Sequence, residues 1–476
     1  MQAVMKTTAA AIFLMGAASI VRAQVAAPDS GAVPVEAVDA YVRGVLEKRH
    51  VPGASIAVVK DGRVVLAKGY GQANVELNAP ATEETVYQLA SVTKPFTASA
   101  VMLLAKDGKI GLDDKIGDRL PDLPDAWKAV TVRQLLSHTS GIKSYTSARD
   151  FDKMMRKDFA PREILDLVAK EPLEFPPGER WSYSNTGYFL LGLLIEEASG
   201  KPYADFMAER VFGPLGMTRT RVNDLRAVVP GRAQGYEWDG KGLRNGEYVS
   251  PTQPFSAGAL LSTVVDLAKW DAALSNASLL DEPTLRGMWT RTRLGKGGEA
   301  DYGLGWQVSE AEGRPMIAHG GGIPGFSTQV CRFPGEKLSV IVLTNLEGGH
   351  AGEMARGIAG VIVPALAPKP MEPIADADEA ATARLRNLLA SCVKGEPDPE
   401  QFAEEAGKVL VPRIRETKGQ LASLGELKDF RLLERKETGG TLRLRYRATF
   451  ENQALRATFV LDGAGKVQGL MIQPDQ

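Results

Sequence analysis

Two strand-like runs, Ala54 to Lys60 and Arg63 to Lys68, meet at Asp61-Gly62. An Asp-Gly pair between β-rich runs is among the strongest short-range signals of a hairpin. Further runs of this kind return only far downstream, at Leu304 to Val308, Thr328 to Phe333 and Leu338 to Leu343, the last two joined by Pro334-Gly335-Glu336-Lys337. Between the two groups, from about Ser91 to Trp289, the pattern is mostly helical and is punctuated by Phe175-Pro176-Pro177-Gly178 and Gly213-Pro214. Ahead of the hairpin, Val38, Val42, Val45 and Leu46 recur at helical spacing. These runs predict an α+β fold in which strands from both ends share one antiparallel sheet, flanked by helices, with a mostly helical domain inserted between them.

The 476 residues exceed what one such unit needs. Pro364, Pro368 and Pro370, followed by acidic, alanine-rich sequence, mark a linker, so the main domain is read as 24–366 and a small C-terminal α+β module as 367–476. In that module two helical stretches, about Asp376 to Val393 and Pro399 to Leu421, precede several strands. In the clearest strand Leu442, Leu444, Tyr446, Ala448 and Phe450 alternate with Arg443, Arg445 and Arg447. The arginine row is expected to face solvent. At the N-terminus, Lys6, the apolar stretch Ala9 to Ile20 and Val21-Arg22-Ala23 read as a signal peptide over 1–23, with the mature chain beginning near Gln24. The apolar stretch is shorter than the roughly 20 residues of a membrane span, so no stable span is expected once the signal is removed. A periplasmic or secreted location follows.

Lys and Arg number 57 against 58 Asp and Glu, a net charge of -1, which offers no global attraction to nucleic acid or an anionic membrane. Small molecules are the expected partners. Cys331 and Cys392 are read as two separate buried thiols, and the four histidines lie at no metal-ligand spacing, so neither metal nor cofactor is expected.

Three groups of residues carry the chemistry. Ser91-Val92-Thr93-Lys94 is an SxxK pattern, whose spacing on a helix puts a hydroxyl and an amine within mutual reach. The pattern alone says little, because Ser140-Gly141-Ile142-Lys143 and Ser391-Cys392-Val393-Lys394 repeat it. Only the first precedes a proline tolerable in a first helical turn, Pro95, and the apolar helix Phe96 to Leu104. Ser91 is therefore expected at a helix N-terminus, where the dipole and free N–H groups favour developing negative charge. A plain N-cap serine beside a solvated Lys94 is the alternative. Tyr183-Ser184-Asn185 offers a phenol that becomes a useful base only beside a cation such as Lys94, and an amide that can hydrogen-bond a substrate. His319-Gly320-Gly321-Gly322 follows the strand-like Pro315 to Ala318, placing three glycines beside a sheet edge where a ligand can approach the backbone closely. His350-Ala351-Gly352 repeats that form after a loop and is read as structural.

Taken in order, these groups resemble the SxxK, YxN and KTG or HxG motifs of the serine β-lactamase and penicillin-binding protein superfamily, in particular class C β-lactamases, DD-peptidases and related esterases and D-aminopeptidases. Other stretches similar to the family are Tyr87 to Ala90, Leu136-Ser137-His138-Thr139-Ser140-Gly141, Ser256-Ala257-Gly258 and Tyr302-Gly303-Leu304-Gly305-Trp306. The resemblance runs from about Val35 to about Ala365 and omits the C-terminal module. It implies a β-lactamase/transpeptidase-like fold and a serine hydrolase in which Ser91 forms an acyl-enzyme. Lys94 and Tyr183 would move its proton, Asn185, His319 and Gly320 to Gly322 would bind substrate, and the N–H groups of Ser91 and Gly322 would hold the oxyanion. His319 stands where many β-lactamases have Lys and should attract a substrate carboxylate less. The expected substrate is an ester, small amide or peptide. The alternatives are a β-lactamase or DD-carboxypeptidase, or a binding protein that keeps the fold without turnover.

Overall fold

The computed structural model describes residues 33–416, 424–438 and 441–474, so the signal segment read over 1–23 lies outside the described residues. The opening hairpin forms where expected. Strands β1 (Gly53–Lys60) and β2 (Arg63–Asn74) turn through Asp61 and Gly62, both at positive φ, 51° and 75°. Two positive φ values are what a two-residue turn needs to match the twist of its strands.

The sheet is completed by β3 (Ala79–Pro80), β4 (Gln307–Ala311), β5 (Arg314–Ile323), β6 (Phe326–Phe333) and β7 (Leu338–Thr344), in the order β4-β5-β6-β7-β1-β2-β3, with every pairing antiparallel. The central pair, β1 with β7, joins the two ends of the main domain, Ala54 opposite Thr344 through Lys60 opposite Leu338. Both strands are buried almost throughout because the sheet is covered on both faces. Ile56, Val58, Val340 and Val342 pack on one side with Val38, Val42 and Val45 of α1 (Val35–Lys48) and with Met354, Ala355 and Ile358, from a helix near the end of the main domain. Ala57, Val59, Ile341 and Leu343 pack on the other side, against the inserted helical region. That region is built around α2 (Thr93–Lys106) and α3 (Asn185–Ser199). The helix near the end of the main domain is α4 (Ala351–Ile362), with His350 at its N-cap position.

The first downstream strand begins later than its sequence pattern predicts. The N–H groups of Gly303, Leu304 and Gly305 donate to Trp306, Met288 and Leu136, so Leu304 to Trp306 is tied to the helical region and β4 starts at Gln307. The glycines after His319 lie inside β5, so that strand runs past the Pro315 to Ala318 read from the sequence. Since β4 pairs only with Arg314 to Ala318, the rest of β5 still presents a free edge.

The C-terminal module has its own core. Strands β8 (Leu427–Thr438), β9 (Thr441–Phe450), β10 (Ala454–Leu461) and β11 (Val467–Pro474) form an antiparallel sheet in chain order, accompanied by α5 (Glu379–Val393) and α6 (Glu404–Glu416). Leu385, Leu389, Leu444, Tyr446 and Phe459 are buried together. The arginine row departs from its solvent-facing reading. Arg443 and Arg445 lie 2.9 and 3.1 Å from the Glu434 carboxylate on the neighbouring strand, and Arg447 donates to the Met371 carbonyl, so the row is half-buried and paired. Cys331 and Cys392 are separate, buried free thiols. Among the described residues no helix is long and apolar enough to cross a membrane.

Candidate active site

Ser91 sits in a single 3-10 turn, Ala90–Val92, that leads directly into α2. The preceding Ala90 has φ of 48°, a conformation that L-residues with a Cβ rarely adopt. Its surroundings hold it there. Leu89 N–H donates to Leu260 O, and Leu89 O accepts from Val92 N–H and from the Thr328 hydroxyl on β6. Strained backbone that its neighbours over-determine in this way clusters at functional sites.

Lys94 lies one helical turn beyond Ser91, and its side chain is fully buried. Its Nζ donates to Asn185 Oδ1 and to the Ala257 carbonyl, each at 2.8 Å, and lies 3.1 Å from Ser91 Oγ. Burial holds the amine well below its ordinary pKa, because charge is costly where water is excluded. The Tyr183 ring centroid is 4.8 Å from Nζ. Burial raises the Tyr183 phenol well above its usual range, an effect partly offset by its hydrogen bond with Ser91. Burial thus favours a neutral amine beside a neutral phenol over the phenolate beside an ammonium that the sequence reading considered.

Asn185 begins α3, whose N-cap is Ser184. Its amide is oriented from both ends, since Oδ1 accepts from Lys94 while Nδ2 donates to Thr146 Oγ1 at 3.2 Å. It also lines the cleft in front of Ser91. His319 is placed differently from its sequence reading. Its ring is 2 % exposed, Nδ1–H donates to the Gly320 carbonyl at 2.7 Å, and Nε2 accepts from the Tyr302 hydroxyl at 2.9 Å. Burial, with Lys94 nearby, lowers its pKa to about 3, so it is neutral. It is absent from the cleft lining. The three glycines divide their work. A Cβ on Gly321 would collide with the Leu89 carbonyl and the Thr328 hydroxyl, so β5 can pass against the Ser91 turn only with glycine there. One on Gly320 would crowd Gln329, whereas Gly322 faces open space and lines the cleft with Ser91.

The two other SxxK patterns form no such pair. The Ser140 hydroxyl accepts the Ile142 N–H while Lys143 reaches Glu171, and Ser391 donates to the Leu388 carbonyl within α5. Several contributors were not singled out from sequence. Thr146 orients Asn185, and the Ser144 hydroxyl accepts the Asn185 backbone N–H. Tyr145 lines the cleft with its hydroxyl bonded to the Gln253 carbonyl. His138 lies with its ring centroid 4.3 Å from that of Tyr183, and its Nδ1 accepts the Ser184 N–H. The only sequence signal for His138 and for the Ala257 carbonyl was that their stretches resemble the family. Among the described residues no group of His, Cys, Asp and Glu could hold a metal ion.

The chain is similar to known proteins. A family model described as Beta-lactamase matches residues 38–361. The chain is 33% identical over 330 residues to penicillin-binding protein 4* of Bacillus subtilis, a match covering 65% of this chain and 72% of that one. Its structure is similar to the octameric penicillin-binding protein homologue from Pyrococcus abyssi (TM-score 0.63, 25% identity), covering 93% of this chain and 99% of the other. It is also similar to the D-amino acid amidase from Ochrobactrum anthropi SV3 (TM-score 0.60, 26% identity), covering 69% of this chain and 98% of that one.

Proposed function

Because the chain belongs to the Beta-lactamase family of serine hydrolases, we propose that Ser91 is its acylated nucleophile, Lys94 the general base and Tyr183 the proton donor to the leaving group. The observation that carries this assignment is the set of contacts around Lys94. A neutral amine has two N–H groups and one lone pair. Asn185 Oδ1 and the Ala257 carbonyl can only accept, so they take both N–H groups, and the lone pair is left for the Ser91 hydroxyl 3.1 Å away. As Ser91 Oγ attacks a carbonyl, Lys94 takes its proton. Backbone N–H groups of Ser91 and Gly322 hold the oxyanion, and losing such a donor costs about 3 kcal/mol. Tyr183 O–H then protonates the departing group and is refilled from Lys94. Water hydrolyses the acyl-enzyme by the reverse relay.

The substrate on this reading is an ester, small amide or peptide. The amidase and penicillin-binding relatives favour the amide and peptide side. The alternative of a β-lactamase or DD-carboxypeptidase is weakened by His319, a buried neutral ring where many β-lactamases carry a lysine. We further propose export, on the signal-like residues 1–23.

Intact mass after separate exposure to an aryl ester, a D-alanyl peptide and penicillin tests the assignment. An adduct that Ser91→Ala abolishes and Ser140→Ala retains is expected, and labelling that survives in Ser91→Ala overturns it. On protein from an exporting host, the same measurement reads whether the chain begins at Gln24.

A further inference from the structure

Tyr183 lies in the irregular stretch 181–184 just ahead of α3, so its backbone belongs to no helix or strand. The backbone N–H groups on either side of it are both held by one residue. Ser182 N–H donates to the His138 carbonyl at 3.0 Å, and Ser184 N–H donates to His138 Nδ1 at 3.2 Å. His138 makes these bonds from a left-handed conformation, φ 59°, which residues other than glycine rarely adopt. Its turn is tied to the same stretch further along, where Thr139 O accepts from Gly178 N–H and Gly141 O from Glu174 N–H. The imidazole also reaches the Tyr183 ring, with centroids 4.3 Å apart, and packs with Tyr302 and Tyr188 at 4.8 and 5.0 Å.

His138 is 1 % exposed and absent from the cleft lining, which excludes direct contact with substrate. Because Nδ1 accepts a hydrogen bond, the ring is neutral with its proton on Nε2. Burial, with Lys94 nearby, favours the same neutral form. That Nε2–H finds no hydrogen-bond partner among the described residues. An unpartnered buried donor is costly, and a leucine would avoid the cost, so packing alone does not account for a histidine here.

We propose that His138 is a positioning residue for proton transfer: by holding the peptide groups on both sides of Tyr183 and bracing its ring, it sets where the phenol hydroxyl stands relative to Ser91. This rests on Tyr183 being the proton donor to the leaving group. Misplacing a reacting group by about 1 Å can cost on the order of a hundredfold in rate. The loss should fall on substrates whose leaving oxygen must take the phenol proton as its bond to the acyl carbon breaks. An alkoxide needs that proton, whereas p-nitrophenolate departs without it.

The test compares p-nitrophenyl and benzyl esters of one acid on the full-length enzyme, read as kcat/KM. His138→Leu, which loses the side-chain acceptor, should slow the benzyl ester by roughly a hundredfold and the p-nitrophenyl ester by less than about fivefold. His138→Asn should restore most of the loss, since its Oδ1 can accept the Ser184 N–H and asparagine tolerates the left-handed conformation. His138→Gly takes that conformation freely and should repeat the selective loss, which keeps the test open if the leucine variant does not fold. Tyr183→Phe should show the same selectivity, and adding His138→Leu to it should cost little more, because His138 acts through the phenol. An unchanged benzyl rate, equal losses on the two esters, no rescue by asparagine, or full additivity with Tyr183→Phe would each overturn the positioning role. A Tyr183→Phe variant that turns over the benzyl ester at the wild-type rate would instead overturn the assignment of Tyr183 as proton donor.

Discussion

Lys94 shows how one side chain acquires its chemistry from what surrounds it. An exposed lysine at this position would be an ammonium at neutral pH and could not take a proton from Ser91. Burial beneath Ala257 and Asn185 favours the free amine, and both of its N–H groups have acceptors there. The sign of the pH dependence follows. Acylation needs the neutral amine, so the rate should rise with pH as Lys94 loses its proton, with the midpoint below the ordinary lysine value of 10.5. The neighbouring His319 titrates at about 3 and does not contribute a limb near neutrality. Stopped-flow acylation by a neutral aryl ester between pH 4 and pH 10 checks this. Lys94→Ala should slow acylation by orders of magnitude and abolish the limb, and an unchanged limb in that variant would assign it to another group.

Among the elements, β6 shows how the sheet is fastened to the inserted helical region. Arg332 is 7 % exposed and Asp271, on the helix Val264–Ser275, is 1 % exposed, with Nε and Oδ1 separated by 2.8 Å. The contact is ionic rather than an aligned hydrogen bond, since neither atom meets hydrogen-bond geometry. Arg332 also donates to Ser275 and lies over the Trp289 ring at 4.7 Å. A buried pair of this kind adds little net stability, yet breaking it is costly because one charge is left without its partner. Asp271→Ala should therefore destabilise the main domain by about 3 to 5 kcal/mol, while Asp271→Leu combined with Arg332→Met should recover much of the loss. Urea midpoints of the three proteins read this directly, and equal destabilisation by the single and double changes would rule out the unpaired charge as the cause.

At the scale of the molecule, the C-terminal module keeps a core of its own, and the core beneath the main sheet closes at Leu366. A chain ending near Ala367 should fold, and it should acylate with a neutral aryl ester at a rate close to that of the full protein. Circular dichroism and intact mass on the truncated protein check both statements. A folded product that resists acylation would mean that Pro412 and Arg413, which line the cleft, help to build it.

Much of this architecture was legible from local pattern. The Asp61-Gly62 turn, the apolar face of α1, the strand periodicity of β9 and the placing of Ser91 at the head of an apolar helix depend on residues close in the chain, so short-range geometry determined them. Three SxxK patterns were locally similar, and the choice among them lay outside the motif. Among the three lysines only Lys94, 3.1 Å from Ser91, meets Asn185 and Ala257, which the fold brings from the inserted region. The protonation of Lys94, Tyr183 and His319 likewise follows from exclusion of water by distant segments, which no window of sequence records. The same holds for the cleft. Residue types and spacing singled out Ser91, but only the packing of α6 against the main domain put Arg413 in the wall of its cleft, because a contact between segments far apart in the chain depends on surfaces that exist only once each has packed.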